Sequence, residues 1–420
     1  MSIPFQPADI LLPDFTKYNG TAWSCVACDQ YTSQPAYWES ADAYAADSPS
    51  TLRLIIPEVY LAETETRKPL VLSAMEDYLR DVLIEHPDAM ILVERTLASG
   101  ETRWGLVGAV DLMTYDYRKG ADSLIRATEA TVAERIPART TVRREAPIEL
   151  PHVMMLIDDR QKTVVEPLAA VKDTLPVAYD FDLMMYDGHL KGYLLTPALM
   201  EQVDAALAAL ITPEAMAERY GREGLAPLLF AVGDGNHSLA AAKTCFEEIR
   251  AQIGDEAAMN HPARYALCEV VNLYDESLRF EPIYRVVFGV DPDHILSAFA
   301  SYIADLNGEA SPQTVEWVSR GRSGALTVPT PSSALTVGTV QDFLDEYVKT
   351  APAGAYVDYI HGEGTARFLA GPDAVAFLFD GMAKEELFST VISDGALPRK
   401  TFSMGHAEDK RFYTEARRIR

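Results

Sequence analysis

The sequence predicts a mixed α/β fold, and three observations carry that prediction. Residues 228 to 232 form a short uncharged apolar run, and Leu239, Ala242, Cys245, Phe246, Ile249 and Ile253 then recur at helical spacing. Residues 265 to 273 supply a second strand, so strand, loop, helix and strand follow one another as in a βαβ unit of a partly parallel sheet. The alternation restarts near Leu278, which divides the 420 residues into two regions, 1 to 275 and 276 to 420.

Taken in order, residues 1 to 50 read as irregular, broken by Pro4, Pro7, Pro13, Pro35 and Pro49 and carrying a polar run from Asp29 to Gln34. A helix is expected at 70 to 83, where Leu72, Met75, Leu79 and Leu83 share a face. Residues 89 to 94 and 104 to 110 read as a hairpin turning at Ser99-Gly100. Between 116 and 144, Arg118, Lys119, Arg126, Arg135, Arg139, Arg143 and Arg144 outnumber nearby acids, a pattern open to anion binding or to surface pairing. A strand at 153 to 157 ends at Asp158-Asp159, and a helix is expected at 197 to 211. The second region reads as a strand at 283 to 288, a helix at 292 to 306 and a long loop at 327 to 335. Beyond it come a helix at 340 to 348, a strand at 374 to 379, a helix at 384 to 392 and a charged helix running to Arg420.

Composition narrows the function classes. Hydrophobic residues at 48% and charged residues at 24% suit a globular protein with a sizeable core. Against 62 acidic residues stand only 37 basic ones, a net charge of -25, which argues against general nucleic-acid binding, where Lys and Arg must meet phosphates. No apolar run approaches the ~20 residues of a membrane span, and the N-terminus lacks a signal peptide's pattern, so a cytoplasmic protein is expected. Cys25 and Cys28 form a C-x-x-C, but Cys245 and Cys268 do not supply a second pair, and two unpaired thiols are expected rather than zinc.

The segment Gly233-Asp234-Gly235-Asn236-His237-Ser238 joins the central strand to its helix. Two glycines there let a ligand approach bare backbone at a helix N-terminus, an arrangement suited to an anion. A Walker loop is excluded, because no Lys stands where G-x-x-x-x-G-K-[ST] requires it. The dinucleotide pattern matches two glycines but meets Ser238 at the third. Gly235-Asn236-His237 also matches a metallophosphoesterase element, a fold that needs an Asp-x-His earlier in the chain and further ligands from separate loops to build its metal pair.

Several stretches together resemble a known family. The loop DGNHS, ACDQYTSQP (27 to 35), SLIRATEATVAERI (123 to 136), ELPHVMMLIDD (149 to 159) and LPRKTFSMGH (397 to 406) are similar to the bacterial domain of unknown function 1015. That resemblance implies a ParB-like core, followed by a C-terminal α/β domain that holds the LPRKTFSMGH segment. The family's ParB-like, partition-protein-like label rests on an Asp-Gly-His-His-Arg motif, which in ParB-related serine kinases sits at a nucleotide phosphate. Asp234, Gly235 and His237 match it, whereas Asn236 and Ser238 replace a His and the Arg that would grip phosphate bidentately.

The expected function is binding of a nucleotide or other phosphate ligand at 234 to 238, as in a small-molecule phosphotransferase taking ATP, ADP or CTP with Mg²⁺. Asp234, His237 and Glu129, with Asp29 as another base, are the expected catalytic groups. Gly233, Gly235, Asn236 and Ser238 are expected to hold the ligand, with Arg126, Arg399, Lys400 and His406 supplying positive charge. Two alternatives accompany this reading. One is a non-catalytic ligand-sensing protein with a degenerate site, and the other a metal-dependent hydrolase using Asp234, His237 and either His189 or His406.

Overall fold

The computed structural model describes residues 2–129 and 136–420, with side chains left undescribed at 136–139. It is a mixed α/β protein of two compact units, one formed by Met1–Leu278 with Gly405–Arg420 and the other by Arg279–Met404. Arg135 therefore lies outside the described residues.

The first unit is built on a ten-stranded sheet. Its strands are β1 (Phe5–Gln6), β2 (Ile91–Thr96), β3 (Thr102–Asp111), β4 (Tyr115–Asp116), β5 (Ile125–Ala127), β6 (Met154–Ile157), β7 (Val177–Asp182), β8 (His189–Leu194), β9 (Phe230–Asp234) and β10 (Tyr265–Asn272). In space they run β7-β8-β2-β3-β10-β6-β9-β5-β4, with β1 on β3. The hairpin of β2 and β3 forms as its turn signal predicts. The βαβ expectation fails, because β6 inserts between β9 and β10, antiparallel to the first and parallel to the second. A strand–helix–strand pattern fixes the elements but not which earlier strand takes the place between them. Central β6 and β9 contribute Met155, Leu156, Ile157, Phe230, Ala231 and Val232, all buried, as strands covered on both faces require.

The N-terminal fifty residues are more ordered than their prolines suggest. Ala8–Pro13 is a strand of a small four-stranded sheet, with Ile10, Leu11 and Leu12 buried, and Pro35 starts the helix Pro35–Ala45 in a position where its missing N–H costs nothing.

The charged helix expected after His406 is also absent. Phe412–Tyr413 pairs with Cys25–Val26, and Ala416–Arg418 joins the four-stranded sheet. Arg411 and Glu415 stand four apart, the spacing of a helical ion pair, but both are buried. Arg411 Nε donates to Glu269 Oε2 at 2.7 Å and its Nη2 to Glu415 Oε2 at 2.6 Å, while Arg417 Nε donates to Glu149 Oε1 at 3.0 Å. Burial alone would lower the Arg411 pKa, but Glu415 and Glu269 outweigh it and hold the guanidinium charged. Trp23 Nε1 ties the same segment down by donating to Thr414 O at 2.8 Å.

In the second unit, strands Phe280–Phe288, Gln313–Ser319, Arg322–Val328, Tyr356–His361, Ala374–Leu378 and Phe402–Met404 form one sheet, over which Phe299, Phe343 and Phe377 pack as an aromatic core. The hairpin at 313–328 and the strand Tyr356–His361 have no strong period-two pattern and were not expected. Residues 327 and 328, expected as loop, close that hairpin. Buried Arg285 donates to Gln341 Oε1 (3.1 Å), Arg399 O (2.6 Å) and Lys400 O (2.9 Å), which fixes the LPRKTF segment from within.

Arg411→Met leaves Glu269 and Glu415 buried without their cation. The expected loss is about 3–5 kcal/mol, read from the urea midpoint, and a loss near zero would show that the network is not a stabilising constraint.

Candidate functional site

Strand β9 delivers the 233–238 loop with a distortion at its end. Met154 pairs with Asp234 but Met155 with Val232, so Gly233 is an extra residue bulged from the ladder, turning Asp234 off the strand's line. Gly235 has φ +80, and a Cβ there would lie 3.0 Å from Val153 Cα, so the turn requires glycine. The 18-residue helix Asn236–Ile253 begins directly after it with no side-chain cap from Gly235. Its dipole therefore opens onto the loop.

Asp234 faces two partners. Its Oδ1 accepts from Gly235 N at 2.9 Å, and Oδ2 lies 3.3 Å from Lys410 Nζ. Asn236 turns inward, donating from Nδ2 to Thr128 Oγ1 (3.2 Å) and Val232 O (3.3 Å) and accepting from Thr128 N at 3.2 Å. Glu129 follows Thr128 and is thus next to the loop in sequence, and His237 is half-buried in the first turn of the helix.

Ser238 leads to a group that sequence reading gave no role. Its Oγ is 3.3 Å from Nε2 of His152, a histidine only 4% exposed, and Asp29 Oδ2 stands 3.5 Å from the same nitrogen. Tyr413 OH meets Nδ1 at 2.7 Å, and Cys28 N donates to the Tyr413 oxygen at 3.4 Å. Burial first, then Cys28 and Asp29, push the phenol pKa well up, so Tyr413 keeps its proton. The phenol lies within reach of both Nδ1 and Cys28, and donation to Nδ1 would place the imidazole proton on Nε2, facing Asp29 and Ser238. A Ser-His-Asp triad needs its acid on Nδ1 and its serine on the other nitrogen, and this arrangement is not one.

The expected cations are dispersed. Arg126 is buried and spends its donors on Ser123 O (2.9 Å) and Ala226 O (3.1 Å), bracing the entry to β9. Arg118 pairs with Asp116, Arg143 with Glu149 and Arg144 with Glu248. Arg399 and Lys400 belong to the second unit, where Arg399 pairs with Asp345. His406 is exposed, its backbone N donating to Asp409 Oδ2 at 3.0 Å. Among the described residues, the cation that reaches the loop is Lys410, four residues beyond His406. It is positioned because Arg95 and Arg103 donate to the carbonyls of Glu408 (2.9 Å) and Asp409 (2.8 Å). Nothing in the local sequence marks Lys410 or Tyr413, because their places depend on the distant partners of Arg411.

Among the described residues, no group of three His, Cys, Asp or Glu side chains is arranged to hold a metal ion. The hydrolase reading loses its ligand set, and His189 instead bridges Asp180 and Asp182 at 2.8 Å each. Cys25 and Cys28 form no disulfide, and burial pushes the Cys25 thiol up to about 12.

Two outcomes check this geometry. Imidazole ¹⁵N spectra should show His152 protonated at Nε2 and bare at Nδ1, and Tyr413→Phe should abolish that preference; a wild-type proton on Nδ1 would refute the assignment. Asp187 supplies the second. Burial raises its pKa from 3.8 to about 6, with Glu408 and Asp409 adding to the rise and Arg95 opposing it. Because the folded pKa lies above the unfolded one, the native state binds more protons between about pH 4 and 6 and loses stability as pH rises through that window. Asp187→Asn should flatten this slope in pH-dependent melting and raise the melting temperature at pH 7.

Comparisons with known proteins complete the picture. No match was found among curated proteins. Solved structures with some likeness include SbnI with a C-terminal truncation from Staphylococcus aureus (TM-score 0.35, 9% identity, covering 71% of this chain and 82% of that one). Others are a free serine kinase variant in complex with AMP (0.38, 10%, 73% and 90%) and a conserved hypothetical protein from Pyrococcus furiosus (0.35, 10%, 73% and 94%). At TM-scores this low they support no inference about this chain. The family match is of another order, spanning residues 13–347, and its description carries no ParB-like label. The chain belongs to the family described as "Protein of unknown function (DUF1015)".

Proposed function

We propose that the 234–238 loop binds the phosphate of a nucleotide or other small molecule, and that the protein is a small-molecule phosphotransferase. The observation that carries this reading is Lys410. In a chain of net charge -25, a lysine ammonium stands 3.3 Å from Asp234 at the start of an 18-residue helix that no Gly235 side chain caps. Lysine charge, helix dipole and a close-approach glycine are the elements of a phosphate site.

In this reading Gly235 sets the turn that opens the helix start, Gly233 gives the phosphate room, Asn236 fixes the loop from within, and Ser238 frames the ligand from the first helical turn. Lys410 takes the charge-balancing part expected of Arg126. Asp234 orients Lys410, and His237 contacts the phosphate. Asp29 is the better-supported base, since its carboxylate stands 3.5 Å from His152 beside Ser238, and Glu129 is the alternate. The nucleotide, ATP, ADP or CTP, is a proposal of the same reading. Mg²⁺ entering with the nucleotide belongs to the same proposal; among the described residues no three His, Cys, Asp or Glu side chains form a metal site of their own.

The sensing alternative has its own observation. Asn236 is engaged with Thr128 and Val232, so part of the loop bonds inward rather than toward a ligand.

A thermal-shift screen against ATP, ADP, CTP, pyrophosphate and phosphate separates the two readings. A ligand at about 100 times its dissociation constant adds about 2.7 kcal/mol to the folded state, a shift of several degrees. The expected result is a nucleotide shift that Lys410→Met and His237→Ala both remove. Failure of every phosphate compound to move a well-folded wild type would sink the phosphotransferase reading. A shift without turnover in a phosphotransfer assay would favour the sensor.

A further inference from the structure

Ser238 and His152 also form one end of a cavity of about 180 Å³, whose lining is strongly divided. The polar groups Cys28, His152, Ser238 and Tyr413 gather at the end next to the helix start. The remaining wall is mostly aliphatic, including Ile55, Ile56, Leu61, Leu150, Val153 and Leu239. Of the three charged groups on it, Glu58, Arg143 and Glu149, the last two neutralise each other at 2.5 Å, and Glu149 is further engaged by Arg417. Burial alone would raise the Glu149 pKa, but Arg143 and Arg417 outweigh it and keep the carboxylate ionised.

We propose that this cavity holds the acceptor, a small apolar alcohol whose hydroxyl lies at Ser238 and His152 and whose hydrocarbon body fills the aliphatic end. The inference rests on the phosphate reading of the adjoining loop. The volume slightly exceeds the ~150 Å³ that admits benzene, which sets the scale at one ring with a short arm. A polyol would leave hydroxyls against aliphatic walls without partners, and the carboxylate of a zwitterion would find Arg143 already paired with Glu149. The chemistry balances with a nucleoside triphosphate as donor. The alcohol oxygen bonds to the terminal phosphorus, the bond from that phosphorus to its bridging oxygen breaks, the nucleoside diphosphate leaves with that electron pair, and the alcohol proton passes to the Asp29 carboxylate.

Calorimetric titration of the full chain with benzyl alcohol, toluene, serine and myo-inositol tests the cavity directly. Benzyl alcohol should bind, toluene about fivefold more weakly for want of one hydrogen bond, and serine and inositol not at all. Ala242→Phe, which fills the cavity from the helix, should abolish both aromatic signals. Should that variant not fold, Leu61→Trp fills it from a wall that is 41% exposed. Ser238→Ala should erase the preference for benzyl alcohol over toluene. Absence of benzyl alcohol binding, a preference for serine or inositol, or binding unchanged by both filling variants would overturn the proposal. The phosphate arm is read separately, because Ala242→Phe should keep the nucleotide shift. A wild type that binds benzyl alcohol but no phosphate compound supports the cavity while removing the phosphotransferase reading.

Discussion

The first unit depends on one buried cation. Arg411, 5% exposed, lies between Glu269 of β10 and Glu415, and its guanidinium also reaches Pro151 O. Three charges taken out of water cost several kcal/mol each, and mutual attraction offsets this only when geometry and further hydrogen bonds are good. The bond from Arg411 Nε to Glu269 Oε2 ties the returning segment 405–420 to the carboxylate that β10 carries inward. Lys410 and Tyr413 flank Arg411, so fixing its guanidinium fixes them too.

The site is consequently assembled from segments that have no local reason to meet. Cys28 and Asp29 come from an early turn, His152 from the approach to β6, Ser238 from the long helix, and Lys410 and Tyr413 from the returning segment. The loop beside them is set by the backbone around it. The Gly233 bulge aims Asp234, Gly235 passes close beneath Val153, and Arg126 braces the strand behind them. Such division lets the side chains facing the cavity be few and their surroundings stiff.

What the sequence revealed divides along the same line. Residues 228 to 253 were legible because a short apolar run and a 3.6-residue period are local signals, and the two glycines announced the turn. The order of strands was not legible, since β6 slips between β9 and β10 by a tertiary choice that neither neighbour encodes. Arg411 and Glu415 misled for a physical reason, because i and i+4 charges suggest an exposed helix even where, as here, both are buried beside strands. His152 stood in a recognisable stretch without any spacing that marks it, and its role comes from Tyr413, 261 residues away. The arginines at 116 to 144 looked like a site because sequence shows their density and hides their partners.

The separation of Glu269 from Arg411 also bears on how the chain is made. Arg411 follows Glu269 by 142 residues, and synthesis runs at about 5–20 residues per second, so roughly 7–28 s pass before the carboxylate's counter-ion exists. During that interval Glu269 lacks its hydrogen-bonded counter-ion, and 279–404 are translated before the segment can close. The first unit is therefore exposed to the cell's chaperones for longer than its size alone would require.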